Sequence, residues 1–138
     1  MNTLLSQLVT FPGVYRGSGD GPESGPFHAR LEVRAVVGGR AAVLDYEAVD
    51  SDRVVHVDHV MLSEDERGRP ELHVVSDELP GIVNFTQSEP GVFQAFEPIK
   101  AKLVLEATDD GAVSYAWWWS RDDGPARAQS QALLHRTP

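Results

Sequence analysis

The chain has 138 residues and no cysteine, with 21 acidic against 12 basic side chains and a formal net charge of −9. That length suits one domain with its own core, and the missing cysteines exclude a disulfide framework or a thiolate metal centre. The acidic balance argues against nucleic acid or an anionic membrane surface as a partner and mostly promotes solubility.

From the N-terminus, Leu4, Leu5, Leu8 and Val9 fall on one side of a short helix that Thr3 caps and that ends before Phe11-Pro12. The segment has neither the basic start nor the apolar length of a signal peptide, and no stretch is long enough to span a membrane, so a cytoplasmic protein is expected. Next comes Gly13-Val14-Tyr15-Arg16-Gly17-Ser18-Gly19-Asp20-Gly21, with Gly13, Gly17, Gly19 and Gly21 on the same face of a strand as Tyr15. A strand bare on one face bends sharply or lets a neighbouring backbone approach. No phosphate-loop pattern follows it.

Strand-sized segments then recur, separated by turn residues every ~8–12 positions. Strands are predicted near 13–20, 26–37, 40–49, 53–63, 70–76, 81–87, 91–96, 100–108, 111–120 and 126–136. Tight turns at Gly38-Gly39, Asp50-Ser51-Asp52, Asp109-Asp110-Gly111 and Asp122-Asp123-Gly124-Pro125 leave no room for a crossover. The reading is all-β, an antiparallel up-and-down β-barrel of about ten strands with a short N-terminal helix plugging one end, as a single domain over residues 1–138.

Hairpin turns also predict register. A two-residue turn at Gly38-Gly39 sets Leu31 opposite Tyr46 and Val33 opposite Leu44, with Asp45 and Glu47 facing out. A turn at Asp110-Gly111 aligns Leu105 with Tyr115, Leu103 with Trp117 and Ala101 with Trp119. The Gly124 turn aligns Trp119 with Ala128, Trp117 with Ser130 and Tyr115 with Ala132, leaving Trp118 outside. Large rings facing small residues mean either tight packing or room for one small molecule.

The candidate site follows from the inward face. If Ser51-Asp52 is a two-residue hairpin, Val55, Val57, His59 and Met61 point inward; a slip of one residue puts His56 and Asp58 inside instead. Tyr15, Tyr46, His59, Tyr115, Trp117 and Trp119 are therefore the expected ligand-lining residues, since aromatics with a few polar groups line small-molecule pockets. Asn84, Thr86 and Gln94 are further polar candidates, with a register that the sequence leaves open. His56, Asp58 and His59 do not share a face, so no metal site is predicted. There is no G-x-S-x-G elbow, and the acidic residues concentrate in turns, so nothing in the chain demands catalysis.

The spacing Gly13-x-Tyr15-x-Gly17-x-Gly19-x-Gly21 resembles the opening motif of nitrobindins, relatives of the fatty-acid-binding-protein barrels in the calycin group, with Tyr15 where that family has Trp. Tyr46, Val55-His56-Val57-Asp58-His59, Ser114-Tyr115-Ala116 and Ala132-x-Leu134-x-Arg136 extend the similarity, and lipocalin-like barrels with a Gly-Gly-Arg hairpin fit nearly as well. The resemblance implies a calycin barrel and, through nitrobindins, haem held by a last-strand histidine, with nitric oxide or peroxynitrite isomerase-like chemistry. Here Gln129 or a neighbour stands at that position. The last strand's histidine is His135, a weak haem-ligand candidate that alternation places outside with Arg127, Gln129 and Gln131.

The expected function is binding of a small hydrophobic or amphipathic ligand inside the barrel, with no cofactor predicted from the residues themselves. The alternatives are a nitrobindin-like haem protein and a filled barrel acting as an interaction module. A homodimer is compatible with each.

Overall fold

A computed structural model describes residues 3–108, 110–120 and 125–138. The turn predictions at Asp109 and at Asp122, Asp123 and Gly124 fall outside the described residues. One helix, α1 (Leu4–Thr10), precedes ten strands: β1 (Gly13–Asp20), β2 (Phe27–Val36), β3 (Ala41–Asp50), β4 (Arg53–Glu64) and β5 (Pro70–Ser76), then β6 (Ile82–Glu89), β7 (Val92–Ala95), β8 (Lys100–Ala107), β9 (Ala112–Ser120) and β10 (Arg127–Arg136). Each strand pairs antiparallel with its neighbours in sequence, and β1 pairs with β10, so the sheet is a closed up-and-down barrel without an edge.

Thr3 caps α1 as the sequence predicts, its side chain accepting from the Ser6 backbone N–H at 3.1 Å. Leu5 and Leu8 are buried, and the helix packs on β2, β3, β4 and β8, closing the end of the barrel at which β1 starts. The Tyr15 hydroxyl donates to the Phe11 carbonyl at 2.7 Å, tying the helix exit to the first strand.

The glycine face of β1 has a steric cause. A Cβ at Gly17 would collide with the Leu133 carbonyl, one at Gly19 with the Gln131 carbonyl and the Phe27 ring, and one at Gly21 with the Gln129 carbonyl. The backbone of β10 leans over the inner face of β1, and only glycine leaves room for it.

Hydrophobic alternation fills the interior. Leu31, Val33, Leu44, Leu62, Leu72 and Phe85 are among the core side chains essentially closed to solvent, joined by Phe93, Leu103 and Leu105. Leu31 faces Tyr46, Val33 faces Leu44, and Tyr115, Trp117 and Trp119 face Leu105, Leu103 and Ala101, all as the hairpin turns predict.

Two β-bulges change the register elsewhere. Between Ala48 and Val49 the pairing slips, so that Val49 faces Val54 but Ala48 faces His56, leaving Val55 as the extra residue. On β10, Ala128 faces Trp118 and Ser130 faces Trp117, leaving Gln129 as the extra residue. Trp119 accordingly faces Arg127, which corrects the expected pairing with Ala128; the Ser130 and Ala132 pairings stand as expected.

Candidate functional site

The first bulge decides which face of β4 is polar inside the barrel. His56 and Asp58 point inward with Val60 and Leu62, and His59 points outward, half exposed, with Nδ1 2.5 Å from Asp45 Oδ1. The expected inward His59 is thus corrected. A two-residue turn does join Asp50 to Arg53, but the bulge at Val55 inverts everything beyond it.

Asp58 is the centre of the buried polar cluster. Its Oδ2 accepts from His56 Nε2 at 2.7 Å, from the Tyr115 hydroxyl at 2.5 Å and from Trp117 Nε1 at 2.8 Å. The Asp58 side chain is wholly buried and that of His56 nearly so. Tyr46 stacks on Tyr115 with ring centroids 3.9 Å apart, and Trp117 meets His56 and Phe85 edge-on. Asp58 Oδ1 and the Tyr46 hydroxyl are buried without a hydrogen-bond partner among the described residues.

On the other edge of the imidazole, Nδ1 lies 2.9 Å from Asp77 Oδ1, an ion-pair contact without hydrogen-bond alignment. Asp77 sits in the turn after β5, pinned by its backbone N–H to the Val57 carbonyl at 3.1 Å. Burial would depress the His56 pKa, but the hydrogen bond to Asp58 and the charges of Asp58, Asp77 and Glu78 outweigh it and raise it. Burial, reinforced by the Asp58 charge, pushes Tyr46 and Tyr115 upward, so both remain phenols.

His56, Asp58 and Asp77 offer donor atoms all within 4.8 Å of one another, a grouping that could in principle hold a metal. The two carboxylates nevertheless sit at opposite nitrogens of one ring, so a single ion cannot take all three without turning the imidazole. The arrangement is a carboxylate–imidazole–carboxylate bridge.

Above this bridge, at the end of the barrel away from α1, lies a cavity of about 320 Å3. His56 forms part of its floor, and Phe27, Ala48 and Trp119 supply apolar wall. Both bulged residues, Val55 and Gln129, line it, the Gln129 side chain donating to the Trp119 carbonyl at 3.3 Å. The bulges thus aim two extra side chains at the mouth. Glu23, Arg53 and Glu78 form its charged rim.

Of the sequence-predicted site residues, Trp119 lines this cavity. Tyr46, Tyr115 and Trp117 belong to the buried cluster beneath it, and Tyr15 is buried beside α1. Gln129 turns to the cavity rather than sharing the outer face of Arg127 and Gln131. Asn84 and Thr86 lie exposed on the outer surface, with Gln94 paired to Thr86, while Val83, Phe85 and Phe93 fill the interior. Sequence reasoning missed Glu23 and Arg53 at the mouth and Asp77 beside His56, which lie in turns or at a strand end where alternation carries no information, while Phe27 was legible as an apolar-face residue but not as cavity wall. His56-x-Asp58 was a readable signal, two polar residues on one face across from an aromatic stripe.

Haem, implied by the nitrobindin resemblance, does not fit the residues present. His135 is exposed on the outer face of β10, and His56, the histidine at the cavity, has its two ring nitrogens against Asp58 and Asp77.

A closed ten-strand antiparallel barrel with a helix across one end is a calycin-like β-barrel. Among solved structures, it is similar to the protein Rv2717c of M. tuberculosis, at TM-score 0.67 and 21% identity over 97% of each chain. It is also similar to the S-type phycobiliprotein lyase CPES of Guillardia theta, at TM-score 0.59 and 12% identity over 99% of this chain and 94% of that one. A de novo designed fluorescence-activating barrel matches at TM-score 0.50 and 11% identity over 92% and 94%. These likenesses show a shared fold. No protein-family model matches the chain, and no curated protein matches it by sequence. Among the described residues, no helix is long and apolar enough to cross a membrane.

Proposed function

We propose that this barrel binds a compact hydrophobic or amphipathic molecule in the cavity at its mouth. The observation that carries the reading is the cavity itself, apolar on the Phe27 and Trp119 walls and polar on the His56 floor. Its volume of about 320 Å3 is at the lower end of small-molecule sites. It equals roughly ten waters of liquid volume, which favours a small ring or short chain over an extended lipid tail. A second pocket of about 360 Å3 lies at the α1 end, lined by Leu8, Tyr15 and Val113 among others, but the mouth cavity is the one with the buried His56 on its floor, and this favours the mouth.

Trp119 supplies both a contact surface and a reporter. Titration with an apolar dye, followed by tryptophan fluorescence, is expected to saturate at one equivalent, and Trp119→Ala is expected to weaken binding by about tenfold or more. Native mass spectrometry of protein purified from its own host should then show a small co-purified mass. Dye binding that is unchanged by both Trp119→Ala and Phe27→Ala, with no co-purified mass, would overturn the proposal. Added hemin is expected to give no histidine-dependent Soret band.

A further inference from the structure

We infer that the turn between β5 and β6 is a proton-controlled latch at the mouth. His56 holds the turn down through the Asp77 carboxylate while protonated, and lets it go on losing that proton. The switch follows from which atoms face each other across one imidazole. Asp58 fixes the tautomer: its Oδ2 accepts from Trp117 Nε1–H, a group that only donates, and from the Tyr115 hydroxyl. The same oxygen is therefore an acceptor for His56 Nε2 at 2.7 Å, and Nε2 carries a hydrogen in both charge states of the ring. The proton that comes and goes sits on Nδ1.

On that side of the ring, 2.9 Å away, lies Asp77 Oδ1. With Nδ1 protonated, the contact joins unlike charges. With Nδ1 bare, a nitrogen lone pair faces a carboxylate oxygen, two acceptors with no hydrogen between them. The Asp77 side chain is 44% exposed, so water is there to receive it. Among the described residues, the titratable groups around the ring are Asp58 on β4, Asp77 and Glu78 on the turn, Tyr46 on β3 and Tyr115 on β9. Glu23 and Arg53 share the cavity that His56 lines. Both tyrosines stay phenols, and the three carboxylates draw a proton onto the ring, so release falls above the ordinary imidazole value of 6.5.

The turn hinges at Asp77, whose backbone N–H stays on the Val57 carbonyl at 3.1 Å. Beyond it, the Glu78 N–H donates to Ser76 Oγ at 3.2 Å and the Leu79 N–H to the Ser76 carbonyl at 3.3 Å, both at the long end of hydrogen-bond distance. Gly81, at a φ of 63°, leads the chain into β6. Once the Asp77 contact is lost, those two bonds and the Leu79 side chain, seated in the core, are left to hold the turn. Glu78 lines the mouth cavity, so lifting the turn moves one of its walls. The effect on an occupant rests on the ligand-binding reading above; the latch itself does not.

The test follows the full chain from about pH 5.5 to 9, a range that brackets histidine titration. Ring 15N NMR, with His56→Gln to assign the signal, gives the tautomer and the midpoint of His56. Hydrogen exchange at the Glu78 and Leu79 amides, divided by the intrinsic rate at each pH, reports opening of the turn. Protection there is expected to fall about tenfold across the His56 midpoint. Asp77→Asn should flatten the profile, because a carboxamide can donate to bare Nδ1 and accept from protonated Nδ1. Stopped-flow release of a bound apolar dye should quicken across the same midpoint in the wild type and stay level in Asp77→Asn. Flat protection across the midpoint, a step that survives Asp77→Asn, a neutral ring with its hydrogen on Nδ1, or a bound dye that leaves at one rate throughout would overturn the latch. A step in protection with no dye binding at all would support the latch and bring down the ligand-binding reading alone.

Discussion

His56 is where burial and charge pull in opposite directions, and charge wins. Its pKa lies above the ordinary value of 6.5. A group whose folded pKa is raised adds stability in full below its unfolded value and loses it as pH rises through the folded one. The stability gap between wild type and His56→Gln should therefore be full below about pH 6.5 and shrink as the pH rises above it, measured by urea unfolding at several pH values. A gap independent of pH would refute the protonated bridge. His56→Ala also leaves Asp58 buried with one donor fewer, so it should cost about 3–5 kcal/mol. The double substitution His56→Leu with Asp58→Leu removes both charges but leaves the buried Tyr115 hydroxyl and Trp117 Nε1 without their acceptor, so it should not recover that loss. Tyr115→Phe deletes one of the three bonds on Asp58 Oδ2 and should cost about 1–3 kcal/mol by the same assay.

At the scale of elements, the glycine face of β1 and the two bulges do different work. Gly17→Ala forces a methyl into the Leu133 carbonyl, and backbone cannot rotate away as a side chain can. A loss of roughly 3 kcal/mol or more is expected in chemical denaturation, at or beyond the top of the usual range for overpacking. Gly38→Ala would meet open space, so its cost should come from its positive φ of 64° and be smaller.

The glycine spacing and the alternation on β2, β3, β8 and β9 were legible in the sequence because turn residues fix hairpin register directly. What alternation could not show was the extra residue. Val55 and Gln129 look like any other strand positions, with no glycine marking them, yet each shifts a register by one. Val55 inverts β4 and exchanges His59 for His56 and Asp58 at the site. Gln129 leaves the inner face of β10 beyond it unchanged, so the Tyr115 and Trp117 pairings survived. The inward aromatics were therefore readable, while the polar floor beneath the cavity was legible only as the one-residue slip that puts His56 and Asp58 inside.

At the scale of the molecule, α1 plugs one end of the barrel and the mouth cavity opens at the other. Leu8, essentially closed to solvent, anchors the plug, and Leu8→Ala should lower stability by about 2–5 kcal/mol without changing the mouth cavity. A ligand that binds only the folded state raises the melting temperature with concentration, so a thermal-shift series on Leu8→Ala should show ligand stabilisation intact. Loss of that stabilisation would mean that the plug and the mouth are coupled.

Closing the sheet has a consequence in time. The β1–β10 seam joins Tyr15 to Arg136, and the Thr137 backbone N–H reaches back to the Val14 carbonyl, so ring closure waits for the last strand to be synthesised. Until then β9 is an edge. It carries the uncharged run Ala112-Val113-Ser114-Tyr115-Ala116-Trp117-Trp118-Trp119-Ser120, whose β-propensity and lack of proline suit intermolecular stacking. A chain released before β10 should pellet on centrifugation while the full chain stays in solution. The strand that completes the container also shields its stickiest segment from other copies of itself.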